Sequence, residues 1–323
     1  MASREQVQLC RRVELRSLPA TALAVLLDEE KARWLALLHW DFGPSADLVL
    51  RYAAMQALEG YALVDGTEVV GYTYWVSEEH KGLVGDLYVR DAWRTPANEN
   101  LLLEGALAQL RRSPWIRRVE AQLMHLASRG SQLAPSGLRP RAFCRHFMLA
   151  PTDGIEHRRT GDYVPELRYQ QWSPRYLEDA AELIAHVYYG HVDGEINDQY
   201  HSAHGARRFL QNIVQYPGCG HFSPQCSWLA IDAAGRTQGL CLATMVSEQS
   251  GHIAQICLAP EYQGSGAGYE MLRRSMAALV AGGASEVSLT VTASNERAIR
   301  LYDRFGFRAV YQFDALVWEK LWP

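Results

Sequence analysis

The chain has 323 residues, 48% of them hydrophobic and 21% charged, a composition that excludes the disordered, collagenous and disulfide-scaffold classes and leaves room for two ordinary domains. Its 32 Lys plus Arg against 36 Asp plus Glu give a net charge of −4, so there is no basic field to hold a nucleic-acid backbone, and nucleic acid is not an expected partner. No apolar run approaches a bilayer span, the start has no apolar stretch for a signal peptide, and the six cysteines are scattered. A cytoplasmic protein with reduced thiols and no membrane partner is expected.

In chain order, hydrophobic periodicity predicts helices over 21–39 and 47–58, a hairpin turning at Asp65 and Gly66, and a strand over 83–90. A helix over 97–110 and a strand over 118–124 follow, after which 127–137 contains Gly and Pro and makes a poor helix. The polar stretch 151–163 breaks the periodicity and reads as a linker between a domain at 1–150 and a domain at 164–323. Up to Asp162 there are 20 basic and 20 acidic residues, and beyond it 12 and 16, so the acidic excess is C-terminal.

The second half opens with a strand over 166–171 and helices over 174–189 and 204–214. Strands at 228–232 and 238–246 flank a turn, and another runs over 252–259. A helix from Gly266 carries the face Met271, Leu272, Ser275, Met276 and Leu279, and Gly282 and Gly283 end it before a strand over 286–292. Asn295 starts a short helix with the stripe Ala298, Leu301, Tyr302 and Phe305, which Gly306 stops before two closing strands. The order β-α-α-β-β-β-α-β-α-β-β predicts an α/β (α+β) fold, with a mixed, largely antiparallel sheet flanked by helices in each half. A shift of 169 residues aligns Val84 to Val89 with Ile253 to Leu258 and Gly137 with Gly306, which suggests duplication.

The run Gln263, Gly264, Ser265, Gly266, Ala267, Gly268 sits between a strand and a helix start. Glycines there let backbone N–H groups approach an anion, and the helix N-terminus adds partial positive charge, so the loop suits a pyrophosphate. A dinucleotide-binding loop would need a parallel βαβ context, and a P-loop would need its Lys-Ser/Thr; neither is present. The stretch with His191, Asp193, Glu195 and Asp198 could attract a cationic amine or form a solvated acidic loop. It fails as an EF-hand, since the sixth position from Asp193 is Asp198 and the twelfth is His204. Cys219, His221, Cys226, His201 and His204 match no common zinc spacing, so no metal is expected.

With Gln263, Gly266 and Gly268 in one motif, and Asn295, Ala298, Leu301 and Tyr302 before Gly306 and Phe307 in a second, the chain resembles the GNAT N-acetyltransferase superfamily. The resemblance covers about 163–322, more faintly 13–149, and the whole is similar to tandem-GNAT proteins of the mycothiol synthase kind. It implies acetyl-CoA as co-substrate and a primary amine of a small molecule or peptide as acceptor, joined by direct attack in a ternary complex. It implies that the strand before the glycine loop bulges, that Ile256 offers its N–H to the thioester carbonyl, and that Leu258 bonds the pantetheine arm. Tyr302 takes the part of general acid to the leaving thiolate, or else is plain core. His252 stands where the family often has a base, with Glu248 in reserve, though a strand-edge histidine is often merely solvated. The equivalent of the glycine loop in the first half, Arg94 to Glu99, has lost every glycine and gained Pro96, and Leu126 and Leu133 replace Asn295 and Tyr302. That half is expected to be a non-catalytic copy. The rival reading of the whole chain is a non-catalytic acyl-CoA-binding sensor or scaffold. Oligomeric state is not legible.

Overall fold

The computed structural model describes residues 10–155 and 166–319. Most of the expected linker, 156–163, lies outside the described residues. Contacts divide the chain into two units: the first holds the chain through Trp34, Phe42–Cys144 and the segment from Phe313, and the second holds Leu35–Asp41 and Arg145–Gln312.

The first half supplies β1 (Arg11–Glu14), α1 (Ala24–Leu38), α2 (Gly43–Ala54), β2 (Gly60–Asp65), β3 (Glu68–Glu78), β4 (Lys81–Val89), α3 (Pro96–Leu110), β5 (Arg118–Gln122) and β6 (Arg141–Pro151). Antiparallel pairing joins β1 to β4 in sequence order, and β4 pairs with β5 in parallel. Gly66, at φ 58°, makes the expected β2–β3 turn. After β5 only 3-10 turns form, at Gly130–Gln132 and Pro135–Gly137, as the Gly and Pro content requires.

The second half supplies β7 (Arg168–Gln171), α4 (Leu177–Val187), α5 (Val192–Ile196), α6 (Ala203–Gln215), β8 (His221–Phe222), β9 (Trp228–Ile231), β10 (Thr237–Met245), β11 (Ser250–Leu258), α7 (Ala267–Ala281), β12 (Glu286–Thr292), α8 (Glu296–Arg304) and β13 (Arg308–Glu319). The sheet runs β7-β9-β10-β11-β12, antiparallel except for β11 with β12. Alternation along β10 sends Cys241 and Ala243 into a core with α7 and α8, and Leu240 and Leu242 into one with α4 and α6, so helices cover both faces.

The sequence reading departs from the structure in its last step. The two closing strands expected after Gly306 are one long strand, β13, because no turn residue interrupts 308–319. Within the second unit the strand beside β12 is β6, paired from Glu286 with Pro151 to Thr292 with Arg145. Within the first unit β13 takes the same place, pairing Ala315 to Glu319 with β5. Each unit therefore completes its sheet with a strand that the other half of the sequence encodes.

Candidate active site

The site begins at a fault in the second sheet. β10 and β11 keep register up to Ala243 with Ile253 and resume at Leu242 with Gln255, so Ala254 is an extra residue, a β-bulge. The parallel pairing of β11 with β12 runs from Ser250 with Glu286 to Ile253 with Leu289 and stops at that bulge. Beyond it the strands part. The Tyr188 hydroxyl donates to the Ile256 carbonyl at 3.5 Å, and the Gln263 amide donates to the Leu258 carbonyl at 2.9 Å. In an antiparallel strand a residue's N–H and C=O point the same way, so the amides of Ile256 and Leu258 also face the gap instead of β10. The expected bulge is present, and both backbone positions named beforehand border the gap.

At the far end of β11 the chain turns through the glycine run. Gly264 and Gly266 have φ of 90° and 94°, a left-handed conformation that other residues rarely adopt, and Gly266 caps α7 without a side chain. The Ser265 hydroxyl donates to Tyr262 O at 2.6 Å and accepts from Ala267 N–H at 3.3 Å, which fixes the turn. The following first-turn amides of α7 point outward without intrahelical acceptors, as in any helix start. A cation overlooked in the sequence completes this end: a Cβ built on Gly264 would lie 3.8 Å from the Arg297 guanidinium, which also donates to Gln263 Oε1. Gly268 approaches Leu301, the α8 residue 3.8 Å from its notional Cβ.

Asn295 caps α8, its side chain accepting from Ala298 N–H at 3.2 Å. Two turns on, Tyr302 is buried against Phe305 and Phe307 in the α7–α8 core. Burial first, then the nearby Cys241 and Asp193, push its phenol well above the ordinary tyrosine range, so it keeps its proton at neutral pH.

The wall opposite is built by residues that the sequence reading did not single out, apart from Asp193. Tyr188 and Tyr200 stack with centroids 4.5 Å apart. Gln255, beside the bulge, donates to the Tyr188 hydroxyl at 2.7 Å and accepts from Tyr200 at 3.3 Å. Asp193, near the start of α5, accepts from the hydroxyl of Thr292 at the end of β12. Burial first, and its charge as a smaller contribution, raise the phenols of Tyr188, Tyr200 and Tyr302 above the ordinary range. Glu195 is exposed and Asp198 half-buried. The signal available beforehand was Gln255 itself, a lone amide among the apolar residues Ile253 to Leu258.

His252 does not have the surroundings of a base. It is 5% exposed, 5.0 Å from the Trp40 ring and 6.3 Å from a parallel Phe147 ring. Ser288 gives its one hydroxyl proton to Gly251 O, so it accepts from His252 Nδ1–H at 2.9 Å, and the imidazole is locked in one neutral tautomer. Desolvation by burial lowers its pKa to about 3. An imidazole so held binds no ammonium proton at neutral pH. Glu248 is no substitute, being exposed in the β10–β11 turn, eight residues and roughly 25 Å of strand from Ile256.

The first unit repeats the frame and closes the cradle. Gly85 is its extra residue, between the Trp75–Val84 and Tyr74–Asp86 pairs, and β4 and β5 part after Val84 and Ala121. Gly85 and Ala254 are 169 residues apart, the shift of the sequence repeat. Where α7 starts at a glycine cap, α3 is capped by the Thr95 side chain, which accepts from Asn98 N–H at 3.3 Å. Glu99 then crosses to accept from Ala127 and Ser128 N–H at 2.7 and 3.0 Å, tying the loop after β5 onto the helix start. Leu133, at the position of Tyr302, is fully buried.

Residues 177–307 match the model of the Acetyltransferase (GNAT) family. Among curated proteins, N-alpha-acetyltransferase MAK3 of Arabidopsis thaliana is 28% identical over 123 residues, 36% of this chain and 56% of the relative. The match thus spans about half the length of that relative. A GCN5-related N-acetyltransferase from Sphaerobacter thermophilus superposes with a TM-score of 0.65 at 19% identity, covering 98% of this chain and 96% of that one. A tandem GNAT protein from the clavulanic acid biosynthesis pathway gives 0.57 at 16%, covering 98% and 99%. The fold is shared along both halves.

Proposed function

We propose that the second unit transfers an acetyl group from acetyl-CoA to a primary amine by direct attack in a ternary complex, and that the first unit is a non-catalytic copy. The observation that carries this reading is the gap between β11 and β12, bordered by the Ile256 and Leu258 amides, with the glycine-capped α7 N-terminus at one end and buried Tyr302 beside it.

The residues fit the co-substrate. Gly264, Gly266 and Gly268 would offer amides at a helix start, while Ser265 and Ala267 spend theirs on Tyr262 O and Ser265 Oγ and so shape the turn, with Arg297 adding positive charge for the phosphates and Gln263 bracing the loop against Leu258. Leu258 N–H would hold the pantetheine arm. Ile256 N–H would polarise the thioester carbonyl as the amine nitrogen attacks its carbon. The new C–N bond forms as the C–S bond breaks, and Tyr302 gives its hydroxyl proton to the departing sulfur. Its raised pKa suits that part, since the proton is still in place at neutral pH. Asp193 would attract the acceptor as an ammonium and take up the proton it sheds, while Tyr188, Tyr200 and Gln255 wall the amine. Asn295 holds the start of the helix that presents Tyr302.

The relative named for N-alpha-acetylation makes peptide α-amines one acceptor class to test beside small-molecule amines. CoA release should be followed across a panel of both. Amine-dependent release, with Asp193→Asn raising KM for the amine about tenfold or more while acetyl-CoA affinity holds, supports the reading. Acetyl-CoA binding with no amine-dependent release would leave a sensor or scaffold instead.

A further inference from the structure

The first unit closes its cradle, yet beside that closure it holds buried polar atoms that no described residue satisfies. His125, just beyond β5, is 3% exposed, and the edges of Trp34 and Tyr88 meet it at centroid distances of 4.8 and 6.1 Å. Neither of its ring nitrogens has a hydrogen-bond partner. Ser128 Oγ in the same loop, Arg33 Nε and Arg94 Nη1 are likewise buried without partners. Native proteins leave few such atoms, because each costs the desolvation of a polar group, and several in one neighbourhood point to a ligand.

The chemistry of the set is that of a donor cage. Arg33 and Arg94 both reach Asp91 Oδ1, the first at 2.9 Å, so two guanidiniums share one exposed carboxylate and the group keeps a positive surplus. Burial first, then the two cations, lower the pKa of His125 to about 3, so it presents one N–H and one lone pair. The neighbouring carboxylates are already engaged: Glu29 with Arg90 at 2.6 Å and Tyr88 at 3.2 Å, Glu30 with Tyr72 at 2.9 Å and Trp34 at 3.3 Å, and Glu99 with the Ala127 and Ser128 amides. Asp65 accepts from Trp93 Nε1 at 2.9 Å through one oxygen and has its other oxygen buried without a partner, while Asp91 is the carboxylate that Arg33 and Arg94 both meet.

We propose that Arg33, Arg94, His125 and Ser128 form a binding site in the first unit for a small oxyanion, a carboxylate or a phosphate. The Arg N–H groups, the Ser128 hydroxyl and the imidazole N–H would surround the anionic oxygens, and the Trp34 and Tyr88 rings would exclude water around them. This site does not depend on acetyl transfer in the second unit. The first half has lost the amides for a pyrophosphate and keeps a cluster of buried, unpartnered polar atoms.

The full chain should be titrated near pH 7.5 with acetate and with inorganic phosphate, against chloride at equal ionic strength, reading Tm and calorimetric heat. We expect saturable stabilisation by one or both oxyanions, with the tighter arm identifying the class. Arg94→Gln and His125→Leu should each weaken binding at least tenfold with acetyl-CoA affinity unchanged. The ligand-free His125→Leu protein should melt at or above wild type, since an unpaired buried polar group has been removed. No saturable effect beyond chloride, or undiminished binding in His125→Leu or in Arg94→Gln, would overturn the proposal.

Discussion

Two side chains of similar burial fall on opposite sides of the chemistry. Burial holds the proton on Tyr302, which an acid requires, and strips it from His252, which a base cannot accept. We expect Tyr302→Phe to lower kcat by roughly 10²-fold, the usual cost of losing a general acid, with acetyl-CoA affinity nearly unchanged in a titration. Equal turnover would reduce the tyrosine to packing. For His252 the folded pKa of about 3 lies below the ordinary histidine value near 6.5, so between those pH values the unfolded chain binds one proton more. Stability therefore rises with pH across that window and is lost on acidification, by up to about 1.4 kcal/mol per pH unit from this group. Urea unfolding from pH 4.5 to 7 should show His252→Gln with a slope shallower by about one proton, and its pH–rate profile should keep the wild-type ascending limb. A lost limb would restore the base to His252.

At the scale of elements, two helix starts and one bulge define the site. The bulge at Ala254 ends the β11–β12 pairing, the Gly266 start of α7 presents amides, and the Asn295 cap of α8 fixes the helix that carries Tyr302. Asn295→Ala should cost about 1 kcal/mol, the typical value of an N-cap, seen as a Tm lower by a few degrees. Because Tyr302 rides on the same two-turn helix, kcat should fall as well, by less than in Tyr302→Phe. An unchanged Tm would mean that packing alone holds α8. Both helix starts were legible in the sequence, since capping and left-handed glycine are local requirements written in adjacent residues. The opposite wall was not. Tyr188, Tyr200 and Gln255 come from separate elements, and each alone reads as core. His252 was misread for the same reason: alternation along β11 gives its face of the sheet, but only the fold brings Trp40 and Phe147 over it.

At the scale of the molecule, a duplicated frame has diverged in one half. Bulge and strand parting recur at the repeat shift, so the faint sequence matches trace a common sheet, and the lost glycines correspond to a cradle closed by Thr95 and Glu99. The exchange of β6 and β13 was not legible, because a strand's pattern shows which face is buried and not which partner it will pair with. No helix among the described residues is long and apolar enough to cross a membrane. The central claim is that a single acyl-CoA site is built on the α7 start of the second unit. Calorimetric titration of the full chain with acetyl-CoA, wild type beside Gly266→Asp, tests it most directly. The aspartate would put a side chain into a left-handed turn and a negative charge beside the phosphates. One site per chain, with affinity at least tenfold weaker in the variant, is the result we predict; two sites, or binding that Gly266→Asp leaves unchanged, would contradict it.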